Sequence, residues 1–134
     1  MRHRALPTTV SLREAGRAAA RRGEPLVVMT TLDGCPYCDL VRQYLVPLSD
    51  AGAIQAFQID IRDRQSRLED FQGRPSTPAE QASLYKARFA PTVLFLGPDG
   101  KELAERLVGM AVPDLYGGYL EVRLEESRAR LRRG

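Results

Sequence analysis

The sequence predicts an α/β protein: one mixed sheet of four strands, helices on both of its faces, and an extra helix at the N-terminal end. Three observations carry this. Two short strand-like runs, residues 25–31 and 53–61, flank a segment of helical periodicity, and a strand–helix–strand unit implies a parallel pair joined by a crossover. Late in the chain "TVLFL" and "KELAERLV" stand on either side of "GPDG", the pattern of an antiparallel hairpin. Two capping boxes, at Ser11 and at Thr77, open further helices between and before the strands.

Taken in order, "SLRE" places Ser11 as the N-cap and Glu14 as the residue reaching back. The helix that follows runs to about Arg22 on small apolar residues (Leu12, Ala15, Ala18, Ala19) and stops at Gly23. "PLVVMTT" is a β-branched run without a helical break, hence a buried strand. Asp33-Gly34 makes a turn, and a helix opens at Cys35 with Pro36 in its first turn, where a missing N–H costs nothing. Leu40, Val41, Tyr44, Leu45 and Leu48 share one face of it, and Pro47 should kink or end it late. "AIQAFQIDI" alternates weakly and is the second strand.

Residues 62–76 are polar without periodicity and read as a loop, either a surface insertion or a segment that steers partner choice. "TPAE" opens a helix that runs to about Arg88 and buries Leu84 and Tyr85. The hairpin of "TVLFL" and "KELAERLV" follows. A last helix starts at Pro113, carries Tyr116, Leu120 and Leu124 at i, i+4 spacing, and runs past Ser127.

The 134 residues carry a net charge of +3, and no apolar run is long enough to cross a membrane. Much of the positive surplus lies at the two ends: Arg2, Arg4, Arg13, Arg17, Arg21 and Arg22, then Arg123, Arg128, Arg130, Arg132 and Arg133. Nucleic-acid binding calls for basic residues interleaved with aromatics. These ends lack that, so they read as solvated helix faces, and the last arginines suit the negative end of a helix dipole. "MRHRALPTTV" has no apolar stretch behind its basic residues and is no signal peptide as it stands. It fits either a cytosolic start or the end left after a signal is removed.

Both cysteines lie in "LDGCPYCDLVRQYL". A Cys-x-x-Cys pair can be a redox couple, half of a metal site, or a coincidence within a helix. A structural zinc needs about four ligands; the single histidine, His3, is far away and no second cysteine pair exists, so no metal is expected. Placement argues for redox chemistry. At the start of a helix, Cys35 meets free backbone N–H groups and the positive end of the dipole, which stabilise the thiolate and pull its pKa below the roughly 8.5 of free cysteine. Cys38, one turn further and on the same face, is positioned to attack a mixed disulfide formed at Cys35. Thiolate attack followed by resolution is thiol–disulfide exchange, with Cys35 as nucleophile and Cys38 as resolving thiol.

At this point the chain resembles the thioredoxin superfamily. Three motifs match in order: "CPYC" after "LVVMTTLDG", "APT" at 90–92 between a helix and a strand, and "VG" at 108–109 closing the last strand. The match covers roughly residues 24–125, within a single thioredoxin-like domain spanning 1–134. The resemblance implies a cis proline at Pro91 beside the cysteines, with Ala90 and Thr92 forming one wall of a substrate groove and Gly109 another. Tyr37 would contact substrate or pack over the loop, Gly34 and Pro36 would shape the turn and helix start, and Met110 would either line the wall or fill the core. A cis proline in such a loop removes a donor and leaves neighbouring backbone to pair with an extended peptide.

The chain departs from the typical pattern. It has no tryptophan, and where thioredoxins bury an acid about nine residues before the first cysteine it has Leu26; Glu24 lies further back, at the strand's exposed start. Pro-Tyr between the cysteines is the glutaredoxin dipeptide. The glutaredoxin Thr-Val-Pro is replaced by "FAPT", and Gly117-Gly118 is followed by Tyr119 and Leu120 rather than by the expected Asp. The segments "APTVLFL", "PDG", "ELAERLVG" and "YLEVRLEES" are similar to bacterial thioredoxin-like proteins of the SoxW kind, many of them periplasmic, which implies export and a trimmed start.

The expected function is therefore thiol–disulfide exchange with protein substrates and an upstream redox partner. The protein would act as a monomer, without a cofactor, with no nucleic-acid or membrane partner. Two alternatives stand beside it: a non-catalytic redox-sensing interaction module, and a glutathione-dependent glutaredoxin.

Overall fold

The computed structural model describes residues 5–110 and 112–134; Arg2, His3 and Arg4 lie outside them. The elements follow the order α1 (Leu12–Arg21), β1 (Leu26–Thr31), α2 (Pro36–Asp50), β2 (Gln55–Asp60), α3 (Pro78–Leu84), β3 (Thr92–Leu96) and β4 (Leu107–Val108). A 3-10 turn over Pro113–Leu115 then leads into α4 (Tyr116–Arg133). The strands form one sheet in the order β2-β1-β3-β4. β1 runs parallel to β2, with Val28 opposite Phe57, and antiparallel to β3, with Val28 opposite Leu94. β3 and β4 are antiparallel, with Thr92 opposite Val108.

Successive strand side chains point to opposite faces, and a central strand buried on both reads as a continuous apolar run. β1 and β3 are buried throughout and apolar except for Thr30, Thr31 and Thr92 at their ends. Val27, Met29, Val93 and Phe95 face one core with Cys38, Val41 and Leu45 of α2 and Leu120 and Leu124 of α4. Leu26, Val28, Leu94 and Leu96 face the other, with Leu12, Ala15 and Ala19 of α1 and Ala82 of α3. The predicted mixed sheet with helices on both faces and an added N-terminal helix is the observed architecture.

The helix starts follow their caps. Ser11 Oγ accepts the Glu14 N–H at 3.0 Å, and its own hydroxyl donates to Glu69 at 2.6 Å. Thr77 Oγ1 accepts the Glu80 N–H at 3.1 Å, while the Glu80 carboxylate turns to Ser76 instead of back to the cap. The segment before α1 covers the outer edge of β2: Leu6 N–H donates to the Gln58 side chain and Gln58 N–H to the Pro7 carbonyl, both at 3.0 Å. Covering an edge strand removes a site of unwanted pairing.

Four expectations are corrected. The helix predicted to reach Arg88 ends at Leu84. It is short and turns inward Pro78, Gln81 and Ala82, with Gln81 held by Ser76 at 2.9 Å, so Leu84 points outward and is 68% exposed. Leu40 likewise lies at the surface edge of α2, whose buried face is Cys38, Val41, Leu45 and Val46. Pro47, by contrast, falls in the last turn of α2, which ends at Asp50, as a late end requires. It lies on the exposed side, and its carbonyl still accepts the Ala51 N–H at 3.0 Å.

"KELAERLV" pairs only at its ends. Glu102 bridges to Leu96 and Leu107–Val108 form β4, while between them the chain bends and Arg106 grips Glu102 with two bonds of 2.8 and 3.0 Å. Finally, the polar loop 62–76 is no mere insertion. Leu68 and Phe71 sink into the second core, and residue 69 bridges to Ser11.

Candidate functional site

The buried end of β1 leads through Leu32, Asp33 and the exposed Gly34 to Cys35, which is the N-cap of α2. Pro36 takes the first helical position, where its absent N–H leaves nothing unpaired. The Cys38 N–H, otherwise one of the orphan donors of the first turn, donates to Cys35 Sγ at 3.1 Å. A disulfide joins the two cysteines, whose Cα atoms are 5.2 Å apart. Their environments differ: Cys35 is half-buried at the helix start, and Cys38 is fully enclosed by the apolar core. An incoming group therefore reaches Cys35 and not Cys38. The same N–H and the helix dipole favour negative charge on Cys35 sulfur once the bond is reduced.

The Ala90–Pro91 peptide bond is cis, and Ala90 O stands 3.9 Å from Cys35 Sγ. Ala90 is half-buried; Pro91 and Thr92 are buried. Gly109 N–H donates to Pro91 O at 2.7 Å, and Gly109 adopts φ +69°, a left-handed conformation that glycine takes without strain. Ala90 thus stands beside Cys35, and Pro91 next to it is held to Gly109. Tyr37 stands on the first turn of α2, 57% exposed, with no hydrogen bond to the other predicted site residues. Met110 belongs to the core on the cysteine side.

Leu26 faces away from the cysteines; Val27 and Met29 are the β1 side chains that share their core, so the layer beneath them on β1 is apolar. Glu24 is tied to α4, where Arg128 Nε donates to both its oxygens at 3.0 and 3.1 Å. That arginine and Arg123, bound to Glu105, are paired rather than simply solvated. Gly117 lies inside α4 against the Tyr44 ring, a helix-packing position.

Two features escaped the sequence reading. Arg42, one turn beyond Cys38, donates to Thr31 Oγ1 at 2.9 Å and to Asp39 at 2.7 Å, tying α2 to the end of β1. It borders a polar cavity of about 270 Å³ shared with Asp33, Gly34 and Cys35. Thr30 is wholly buried and bonded to the proline loop. The sequence shows only that two threonines end an otherwise apolar strand, not what they bond. No group of three or more His, Cys, Asp or Glu able to hold a metal occurs among the described residues.

A Thioredoxin-like domain family profile matches residues 2–122. No curated protein matches the chain. Solved structures do. Thioredoxin O2 from Arabidopsis thaliana, in its oxidised state, is 17% identical with a TM-score of 0.57, covering 91% of this chain and 96% of its own. Oxidised mitochondrial thioredoxin 3 from Saccharomyces cerevisiae is 18% identical at 0.57, covering 90% and 94%. Thioredoxin from Fasciola hepatica is 15% identical at 0.57, covering 91% and 99%. At these identities the likeness is one of fold.

Proposed function

The chain belongs to the thioredoxin-like domain family, and from that premise we propose that it exchanges disulfides with protein substrates through Cys35. The observation that carries this is the unequal pair at the start of α2: a reachable Cys35 whose sulfur accepts the Cys38 N–H, bonded to an enclosed Cys38. In the reducing direction the Cys35 thiolate attacks one sulfur of a substrate disulfide. That S–S bond breaks, its other sulfur leaves as a thiolate, and a mixed disulfide forms. Cys38 loses its proton and attacks Cys35 sulfur, and the substrate's second sulfur departs. Two electrons have passed to the substrate and the Cys35–Cys38 disulfide remains, to be reduced by a dithiol donor. Oxidation of a substrate dithiol is the same sequence reversed.

The backbone of Ala90 and Pro91 next to Cys35 supports a polypeptide substrate over glutathione. Backbone beside Pro91 suits an extended segment, and Gly117-Gly118 sits inside a helix without the following Asp. The likeness of "APTVLFL" and "YLEVRLEES" to the SoxW kind supports a periplasmic enzyme; cell fractionation that finds it in the cytoplasm overturns that location.

The test is turnover of insulin disulfides with dithiothreitol as donor. Cys35→Ser abolishes it. Cys38→Ser stops after one attack and accumulates mixed disulfides with a range of proteins. A Cys35→Ser variant as active as the parent refutes the enzyme reading, and a single stoichiometric trapped partner favours a redox-sensing module.

A further inference from the structure

The β1–β3 ladder ends at Met29 opposite Val93. One residue further, a side chain takes over from the backbone. Thr92 N–H donates to Thr30 Oγ1 at 2.8 Å, and the Thr30 hydroxyl donates to Phe89 O at 3.1 Å. Thr92's own hydroxyl donates to the same Phe89 carbonyl. Thr30 and Thr92 are 0% and 1% exposed, so solvent does not replace these bonds. Both ends of the four-residue segment 89–92 are thereby closed on one hydroxyl of β1. Between them the chain presents Ala90 O to Cys35 sulfur at 3.9 Å and Pro91 O to Gly109 N–H.

We infer that Thr30 is a positioning residue for exchange: its hydroxyl fixes the proline loop against Cys35 and so sets how well an extended polypeptide docks there. This rests on the oxidoreductase reading above. A β-branched side chain is stiff at χ1, so the hydroxyl is held where both loop groups need it. An apolar residue of the same shape leaves the Thr92 N–H buried without an acceptor and removes one of two donors from Phe89 O, and a buried donor stripped of its partner costs more than the bond itself contributed. The loop then relaxes. Cys35 and its cap, on a different element, stay as they are.

Thr30→Val and Thr30→Ser separate the possibilities, each assayed with insulin and with dithiobis-nitrobenzoate, a small disulfide that needs no groove. Thr30→Val raises KM for insulin about tenfold, the factor about 1.4 kcal/mol sets, at unchanged kcat and with the small disulfide reduced at the parental rate. Thr30→Ser restores the parental KM. The Thr92 amide loses protection from hydrogen exchange in Thr30→Val alone. An unchanged insulin KM, or equal losses on both disulfides, overturns the inference. If the parent shows no Cys35-dependent turnover the oxidoreductase reading falls instead, and Thr92 protection alone then decides whether Thr30 holds the loop.

Discussion

Cys35 and Cys38 carry the same side chain into opposite surroundings, one at an open helix start and one inside a core. That contrast was legible in the sequence, because the spacing and the strand before it fix both positions. Thr30 was not, because its partners lie about sixty residues away in the chain and only the folded sheet brings them to it. Gly100 is a similar case. The turn "GPDG" announced a glycine in a tight turn, yet not what lies above it. It adopts φ +88°, and a Cβ there would stand 2.7 Å from the Phe71 ring and 2.8 Å from the Tyr85 hydroxyl. Gly100→Ala therefore adds overpacking of about 1–3 kcal/mol to a backbone cost of about 1–2 kcal/mol. Gly23, φ +72° with nothing within 4 Å, carries the backbone cost alone. Urea unfolding of the two alanine variants measures the difference; equal losses would show that the space above Gly100 is not filled.

The loop of residues 62–76 shows where reading by element fails. Its composition is polar and without periodicity, yet Leu68 and Phe71 are buried. Their burial follows from a turn built on Asp70, whose carboxylate accepts the Arg74 N–H at 2.8 Å, the Gln72 N–H at 2.9 Å and the Arg74 guanidinium at 3.1 Å. The Arg74 N–H chiefly, then the Gln72 N–H and the Arg74 guanidinium, hold the carboxyl below its ordinary 3.8 against the opposing effect of burial. A carboxyl held lower in the folded state than in the unfolded one contributes stability above about pH 3.9 and loses it as pH falls from there through the folded value. Asp70→Asn is thus less stable than the parent near neutrality, and the gap closes as the pH drops below about 4. Thermal unfolding of both proteins across that range tests this; a gap that stays constant with pH would place the stabilisation elsewhere than on the charge.

Across the whole molecule the sheet divides two cores, and only one touches the redox pair. The architecture was legible because β1 and β3 are apolar on both faces and the helices carry one-sided stripes. The partition of side chains was not, since a continuous apolar run does not say which alternate residues meet the cysteines. Hence the sequence points to Leu26 beneath the cysteines, where the β1 side chains are in fact Val27 and Met29. The partition separates stability from chemistry. Val93 and Leu94 are adjacent and fully or almost fully buried, Val93 in the core of Cys38 and Leu94 in the core of α1 and α3. Leu94→Ala leaves a cavity and costs about 2–5 kcal/mol, a large share of the roughly 5–15 kcal/mol that holds a domain folded. Because the cavity opens on the far side of the sheet, the reduced, folded variant keeps its Cys35 alkylation rate within about twofold, as expected of uncoupled sites. Val93→Ala opens a smaller cavity on the near side, beneath Cys38, and shifts that rate. Alkylation of the native state by iodoacetamide, with the unfolded fraction determined separately, decides between the two. A Leu94→Ala protein that loses native-state reactivity as Val93→Ala does would mean that the sheet transmits packing defects to the site, and the two cores would then act as one.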